Sequence, residues 1–252
     1  MPQRKKQIDI WLPPIADVGR AAEEGIMAAS LEISSAAALG QRRSASPGWS
    51  QRPCQRALDL AIALPLIVVL APTLGLIALL VWLHDGAMPF YGQTRIGCGG
   101  RNFRCWKFRS MVTDADAVLR RLLAVSPEAR EEWGRDHKLK ADPRVTRIGR
   151  VLRATSLDEL PQLWNVLCGE MSLVGPRPIV SAEVSRYGPR FSFYCTCRPG
   201  ITGLWQISGR NDVSYRRRVA MDSLYARRRS TPLDVKILVL TVPAVLLRRG
   251  SY

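Results

Sequence analysis

Histidine occurs only twice in the 252 residues, and none of the six cysteines (54, 98, 105, 168, 195 and 197) stands at CxxC spacing from another. A tetrahedral zinc site built from Cys and His pairs is therefore not expected, nor is the disulfide framework of a small secreted domain. Cys195-x-Cys197 is too short a signal to carry a metal. The thiols are expected to be reduced, structural and on the cytoplasmic side. Acidic residues are also scarce, 21 against 37 Lys and Arg, for a net charge of +16. After position 83 the chain holds 29 basic and 15 acidic residues. A surplus of that size calls for a polyanionic partner: nucleic acid, anionic lipid head groups or phosphorylated small molecules. Internal repeats are absent. No apolar run follows the basic start Arg4-Lys5-Lys6, so the beginning does not read as a cleaved signal peptide. Residues 1–50, rich in Ala, Ser, Gly and Pro, read as a disordered basic arm.

One long apolar run is present. Leu60 to Leu83 is 24 residues without a charge, enough to cross a bilayer core that needs about 20. Pro65 and Pro72 lie inside it, and Pro72 is near the midpoint, where a missing backbone donor bends a helix. Each half is then about 18 Å long, part of a bilayer only. Arg52 and Arg56 precede the run, and Arg95, Arg101, Arg104, Lys107 and Arg109 follow it. Basic flanks on both sides place both in the cytoplasm. Residues 51–84 are therefore expected to form a membrane helix, either re-entrant with breaks at Pro65 and Pro72 or spanning.

Beyond it, Pro89–Ile96 and Asn102–Arg109 read as two short strands joined through glycines. Helices are expected at 116–125, 127–140, 145–153, 157–167 and 213–229. In 157–167, Leu160, Leu163, Trp164 and Leu167 form one apolar side. Residues 187–198 read as connecting structure. Pro232–Arg249, apolar between arginine clusters and broken by Pro243, suits either a helix at the lipid surface or a buried domain helix.

The chemistry concentrates in residues 153–178, around the adjacent acids Asp158 and Glu159. Ser156-x-x-Glu159 fits a helix capping box, in which the acids face the positive end of the helix dipole. The same pair in a basic domain also fits a metal or nucleophile site. Carboxylate oxygens hold divalent cations, and a carboxylate can form an acyl phosphate. Arg177, between two prolines, and Arg210, after Gly209, have their directions fixed by stiff neighbours. A guanidinium fork matches phosphate oxygens.

The motifs Lys107-Phe-Arg-Ser-Met111, Asp142-Pro-Arg-Val-Thr146, Ser156-Leu-Asp-Glu-Leu-Pro-Gln-Leu163, Gly169-Glu-Met-Ser-Leu-Val-Gly-Pro-Arg-Pro178, Arg198-Pro-Gly-Ile-Thr-Gly-Leu-Trp-Gln206 and Ser208-Gly-Arg210 occur in this order. With them the chain resembles, from about Arg56 to Tyr252, the bacterial sugar transferases of the monotopic phosphoglycosyl transferase superfamily. Within it, the chain is most similar to ExoY-type exopolysaccharide priming enzymes.

The resemblance implies an α+β, mostly helical fold. It would comprise a re-entrant membrane helix hairpin, a small β-hairpin and a cytoplasmic catalytic domain (85–252) with interfacial amphipathic helices. It also implies transfer of hexose-1-phosphate, galactose before glucose, from a UDP-hexose to undecaprenyl phosphate at the inner membrane, with release of UMP. Asp158 would be the covalent nucleophile and Glu159 its partner in binding Mg²⁺, or Mn²⁺ in its place. Arg153, Arg177 and Arg210 would contact phosphate or nucleotide, with Lys107 and Arg109 as further candidates. The serine of the family's usual Ser-Pro break is Ala71 here. Anionic inner-membrane lipids, downstream glycosyltransferases and a second copy in a homodimer are the expected partners. A membrane-tethered nucleic-acid-binding protein is the competing class, but no basic face interleaved with aromatics is visible. An inert scaffold of the same fold is the other alternative, although the acidic pair and motif arginines are intact.

Overall fold

The computed structural model describes residues 52–136, 139, 141–208 and 213–246. The basic arm, Arg210 and the terminal arginines lie outside the described residues.

Pro53–Asp85 form one 33-residue helix, α1, about 50 Å long at 1.5 Å per residue. Pro53 sits in the first turn, where its missing N–H has no partner to lose. Gly86 ends the helix in the left-handed region, its N–H on Trp82 O at 2.7 Å. Pro65 and Pro72 lie inside without interrupting it, so the expected reversal at Pro72 is replaced by continuous helix. Both prolines are on the exposed side, and a stripe on the other side holds the helix on course. Asp59, Ala63, Ile77 and Val81 are buried, with Ile62, Ile67, Leu70, Leu74 and Ala78 packed between them. These fall at the three- and four-residue steps of one helix face. The opposite side is apolar and bare, with Val68 and Val69 more than 70% exposed. That helix is long and apolar enough to cross a membrane.

Two antiparallel strands follow, β1 (Phe90–Ile96) and β2 (Asn102–Phe108), paired from Phe90 opposite Phe108 to Ile96 opposite Asn102. Phe103, Cys105 and Lys107 share one face of β2. Cys105 is 1% exposed in the core, so that face, Lys107 included, turns inward. Helices α2 (Ala115–Val125) and α3 (Pro127–Asp136) pack on each other, and no α2 residue is buried. Thr146 starts α4 (Arg147–Thr155) by accepting from Gly149 N at 2.9 Å. A side chain at Gly149 would meet Ser110 O at 2.0 Å, so this glycine lets α4 touch the segment after β2.

The helix expected over 157–167 is two pieces: a 3-10 turn, Leu157–Glu159, and α5, Gln162–Cys168. Pro161 between them cannot donate to a continuing helix. Leu163 is buried as anticipated, whereas Trp164 is 59% exposed rather than core. A second small sheet, absent from the sequence expectation, pairs β3 (Ser172–Val174) in parallel with β4 (Gly200–Thr202). Its backbones approach so closely that a side chain at Gly200 would meet Gly175 N at 2.1 Å. The stretch read as a connection, 187–198, starts at the last residue of α6 (Val184–Tyr187) and contains α7 (Phe191–Cys195), with Tyr187 and Tyr194 buried. Helices α8 (Tyr215–Arg228) and α9 (Thr231–Leu246) complete the described chain. Ile237 of α9 is fully buried with Ala63 of α1 in the main core. Val235, Val239 and Val242 on α9 are exposed.

Candidate active site

Asp158 and Glu159 occupy the 3-10 turn between α4 and α5. The turn is entered through Ser156, a non-glycine residue at φ 58°, a conformation that costs about 1–2 kcal/mol for an L-residue. Its N–H returns to Arg153 O and Leu152 O, and its side chain makes no cap bond. The anticipated capping box is therefore not formed, because Ser156 closes α4 instead of opening a helix. A single 3-10 turn offers little dipole to hold the acids ionised.

Other charges do that work, unequally. Asp158 is 9% exposed. Burial pushes its carboxyl up to about 6, with the neighbouring Glu159 pushing the same way, while Lys107 and Arg153 pull it down. Burial also acts upward on Glu159, but Lys107, Arg177 and Arg95 outweigh it and hold that carboxyl below its ordinary value. Lys107 Nζ donates to Glu159 Oε1 at 2.6 Å. One acid is thus a committed anion, and the other can exchange a proton near neutrality.

The structure brings five candidate residues together: Lys107 on Glu159, Arg153 acting on Asp158, and Arg177 acting on Glu159. Arg153 is anchored through Nε to Ser110 Oγ at 2.8 Å. Arg109 is placed elsewhere. Its guanidinium takes both oxygens of Asp85 and the carbonyls of Met88 and Ala87, clasping the end of α1. Four of its five N–H donors are engaged there, which counts against the expected contact with phosphate. In the motif at 142–146, Arg144 forks onto Asp142 at 2.7 and 2.8 Å and lies over Trp133, a structural clasp.

Sequence reasoning missed several neighbours. Arg95 donates to Pro178 O at 3.1 Å and lies 3.7 Å from Glu183, which steadies the residue after Arg177. Asn165, fully buried on α5, accepts from Trp106 N at 3.0 Å and donates to Arg104 O and Glu170 Oε2, both at 2.6 Å. It locks the helix after the acidic pair to the strand that carries Lys107. Trp205 lies under two guanidinium groups, Arg218 at 4.7 Å and Arg177 at 5.7 Å. Asp222 is 2% exposed and accepts from Tyr187 OH at 2.7 Å. It also receives the backbone N–H of Arg177. A signal for Asp222 existed: it falls among Val219, Tyr225 and Ala226 at helical spacing, a lone acid on an apolar face.

The first turns of α1 reach the same machinery. Arg56 donates to Val166 O and Leu167 O, the open carbonyl end of α5. Gln55 Nε2 donates to Ser172 Oγ at 3.1 Å and Val174 O at 3.2 Å, the strand leading to Arg177. Asp59 accepts from Ser172 Oγ and Leu173 N, each at 2.9 Å.

The sequence pattern of the bacterial sugar transferase family matches residues 50–248. The chain is 52% identical over 203 residues to the UDP-galactose-lipid carrier transferase of Erwinia amylovora, covering 81% of this chain and 42% of that protein. It is 50% identical over 198 residues to the exopolysaccharide production protein ExoY of Sinorhizobium fredii, covering 79% of this chain and 88% of that one. It is 38% identical over 206 residues to the UDP-glucose:undecaprenyl-phosphate glucose-1-phosphate transferase of Caulobacter vibrioides, covering 79% and 72%. The chain thus spans less than half of the Erwinia relative and most of the other two.

Proposed function

The chain belongs to the bacterial sugar transferase family, and from that premise we propose that it transfers hexose-1-phosphate from a UDP-hexose to undecaprenyl phosphate in exopolysaccharide synthesis. The observation that carries this reading is the acidic pair with its divided charge state: Asp158 raised to about 6 beside a Glu159 held low by Lys107. In the first half-reaction an Asp158 oxygen attacks the phosphorus that bears the sugar. The bond to the bridging oxygen breaks, and UMP leaves with that oxygen and its electron pair. In the second, an oxygen of undecaprenyl phosphate attacks the same phosphorus and Asp158 is returned as a carboxylate. Galactose is favoured over glucose because relatives of about 50% identity include a protein named for UDP-galactose, whereas the relative named for UDP-glucose stands at 38%.

The residues fit a divalent cation of the Mg²⁺ kind, which takes one or two carboxylates and completes its shell with substrate phosphate and water. Asp158 and Glu159 would hold it, with Lys107 on one Glu159 oxygen and the other left for the ion. The ion would supply neutralisation of the diphosphate charge. Mn²⁺ would serve in its place.

We read α1 as monotopic, lying in one leaflet without crossing it, and its contacts support that reading. The helix touches the catalytic domain at Asp59 and Ala63 near one end and at Ile77 and Val81 near the other. No stretch of about 20 residues is free of the domain, as a span would require. The bare faces of α1 and α9 would then enter one leaflet and meet anionic lipids on the cytoplasmic side. An impermeant thiol reagent added outside intact cells should label neither Cys54 nor a cysteine placed by Ala87→Cys. Labelling of either one would establish a span.

For the chemistry, membranes containing wild type or Asp158→Asn are given UDP-galactose and UDP-glucose labelled at the sugar-bearing phosphate. Wild type should release UMP and hold label on the protein until undecaprenyl phosphate is added. UMP release by Asp158→Asn at the wild-type rate would overturn the nucleophile.

A further inference from the structure

The two guanidinium groups over Trp205 are not accounted for by the chemistry at Asp158. Trp205 is 4% exposed, and Arg218 and Arg177, carried by different parts of the chain, both converge on its ring. An aromatic face attracts a cation, yet two on one ring repel each other. Burial, then the Arg177 charge, lowers the pKa of Arg218. The acid beneath them compensates incompletely. Burial raises Asp222 to about 7 despite its bond from Tyr187 and the charges of both arginines. The other acid acting on Arg218, Glu183, is shared with Arg95 at 3.7 Å, so three cations face two acids of which one is partly protonated near neutral pH. The cluster therefore keeps a positive surplus that an incoming anion would discharge. A second sign points the same way: the indole Nε1 of Trp205 is buried with no hydrogen-bond partner among the described residues, an open donor beside two cations.

Its position relative to the acids gives the anion a role. Arg177 is among the charges that act on Glu159, while Arg153 acts on Asp158. A diphosphate lying along the pair would therefore meet Arg153 at the phosphorus under attack and Arg177 at the other. We propose that Arg218, stacked with Arg177 on Trp205, binds the phosphate of the departing nucleotide. The assignment rests on the UDP-hexose reading above and adds a residue to it. Arg218 holds the leaving phosphate while Asp158 forms its bond, and it stabilises charge that grows on that phosphate as the bridge breaks. Arginine forks suit such an oxyanion.

A phosphate oxyanion could also arrive on the lipid, so the test separates the two sources. Full-length protein in lipid nanodiscs is titrated with UMP, uridine and undecaprenyl phosphate, following tryptophan fluorescence. The KM values for UDP-hexose and lipid are measured alongside. Wild type should bind UMP far better than uridine. Arg218→Ala should weaken UMP by about tenfold or more, the loss of one charge-assisted contact, leave uridine unchanged, and raise the KM for UDP-hexose without moving that for the lipid. Arg218→Lys, which keeps the charge and the stem, should weaken UMP less and carries the same comparison if the alanine variant does not fold. Unchanged UMP affinity in both variants would overturn the clamp. So would a loss confined to undecaprenyl phosphate, which assigns the arginine to the lipid. Wild type that binds UMP through Arg218 but turns over no UDP-hexose would sink the functional reading and leave the clamp standing.

Discussion

Lys107 Nζ lies 2.6 Å from Glu159 Oε1, joining the end of β2 to the 3-10 turn that also holds Asp158. The two side chains are 25% and 40% exposed, so solvent screens the pair and its worth to folding is small. Its consequence is electrostatic: Glu159 stays an anion, and its charge adds to the burial that raises Asp158.

Lys107→Ala should reduce UMP release by about a hundredfold or more, the scale of losing a group fixed near developing charge. Glu159→Gln should cost a similar factor. Because the two act as a unit, the double variant should be little worse than either single one. Rates for all three in one assay decide the matter, and multiplied losses would show independent roles.

Asp158→Asn should raise thermal stability while abolishing turnover. A folded-state value of about 6 against 3.8 unfolded means that the native state binds more protons in that window, so stability rises as pH falls through about 6 toward 4. Above pH 6 the buried charge costs on the order of 2–3 kcal/mol, at 1.36 kcal/mol per unit. Melting curves in chelator at pH 8 and pH 5 should show wild type gaining on the variant at the lower pH. Parallel behaviour at both would contradict a raised Asp158.

Asp85→Ala and Arg109→Ala should each loosen the end of α1 with little effect on the chemistry. Asp85 accepts through both oxygens from Arg109, so the double variant should melt close to either single one. UMP release per folded molecule should fall by less than about tenfold, in contrast to the Lys107 variant two residues away. A hundredfold fall for Arg109→Ala would return that arginine to the substrate site.

Much of this arrangement was readable in the chain, and the rest was hidden for identifiable reasons. The β-hairpin followed from alternation and glycines to within one residue, and the acidic pair stood out as a local run. The capping box was misread because Ser156 satisfies a spacing rule at both a helix start and a helix end, and only its positive φ distinguishes them. Arg109 and Arg177 look alike in sequence. What separates them is Asp85, 24 residues upstream of Arg109, a distant pairing that no local window reports. The parallel β3–β4 pair uses three residues per strand, too short for any periodicity to show. Arg210 lies outside the described residues, and its role stays with the family resemblance.

Asn165 offers a test of how the site is held together. Replacing it with Leu removes three bonds at a fully buried position and leaves the Trp106 donor and the Arg104 carbonyl without partners. Each such orphan costs about 1–3 kcal/mol, so Asn165→Leu should lose about 3 kcal/mol or more and lower turnover in the molecules that remain folded. Denaturant melts with activity normalised to the folded fraction provide the check. Full activity per folded molecule would mean that β2 and α5 find their alignment without it.

The grip of Gln55, Arg56 and Asp59 on α5 and β3 has a practical meaning for anyone preparing this protein. A fragment beginning after Asp85 would not be a water-soluble version of the protein. It would lack the side chains that cover Val166 O, Leu167 O and Ser172, and the space filled by Ala63, Ile77 and Val81 would open through the core. The helix and the domain share one interior, so solubilisation has to carry the helix along with its bare apolar side shielded. Any extraction that strips α1 from the domain should be read as unfolding.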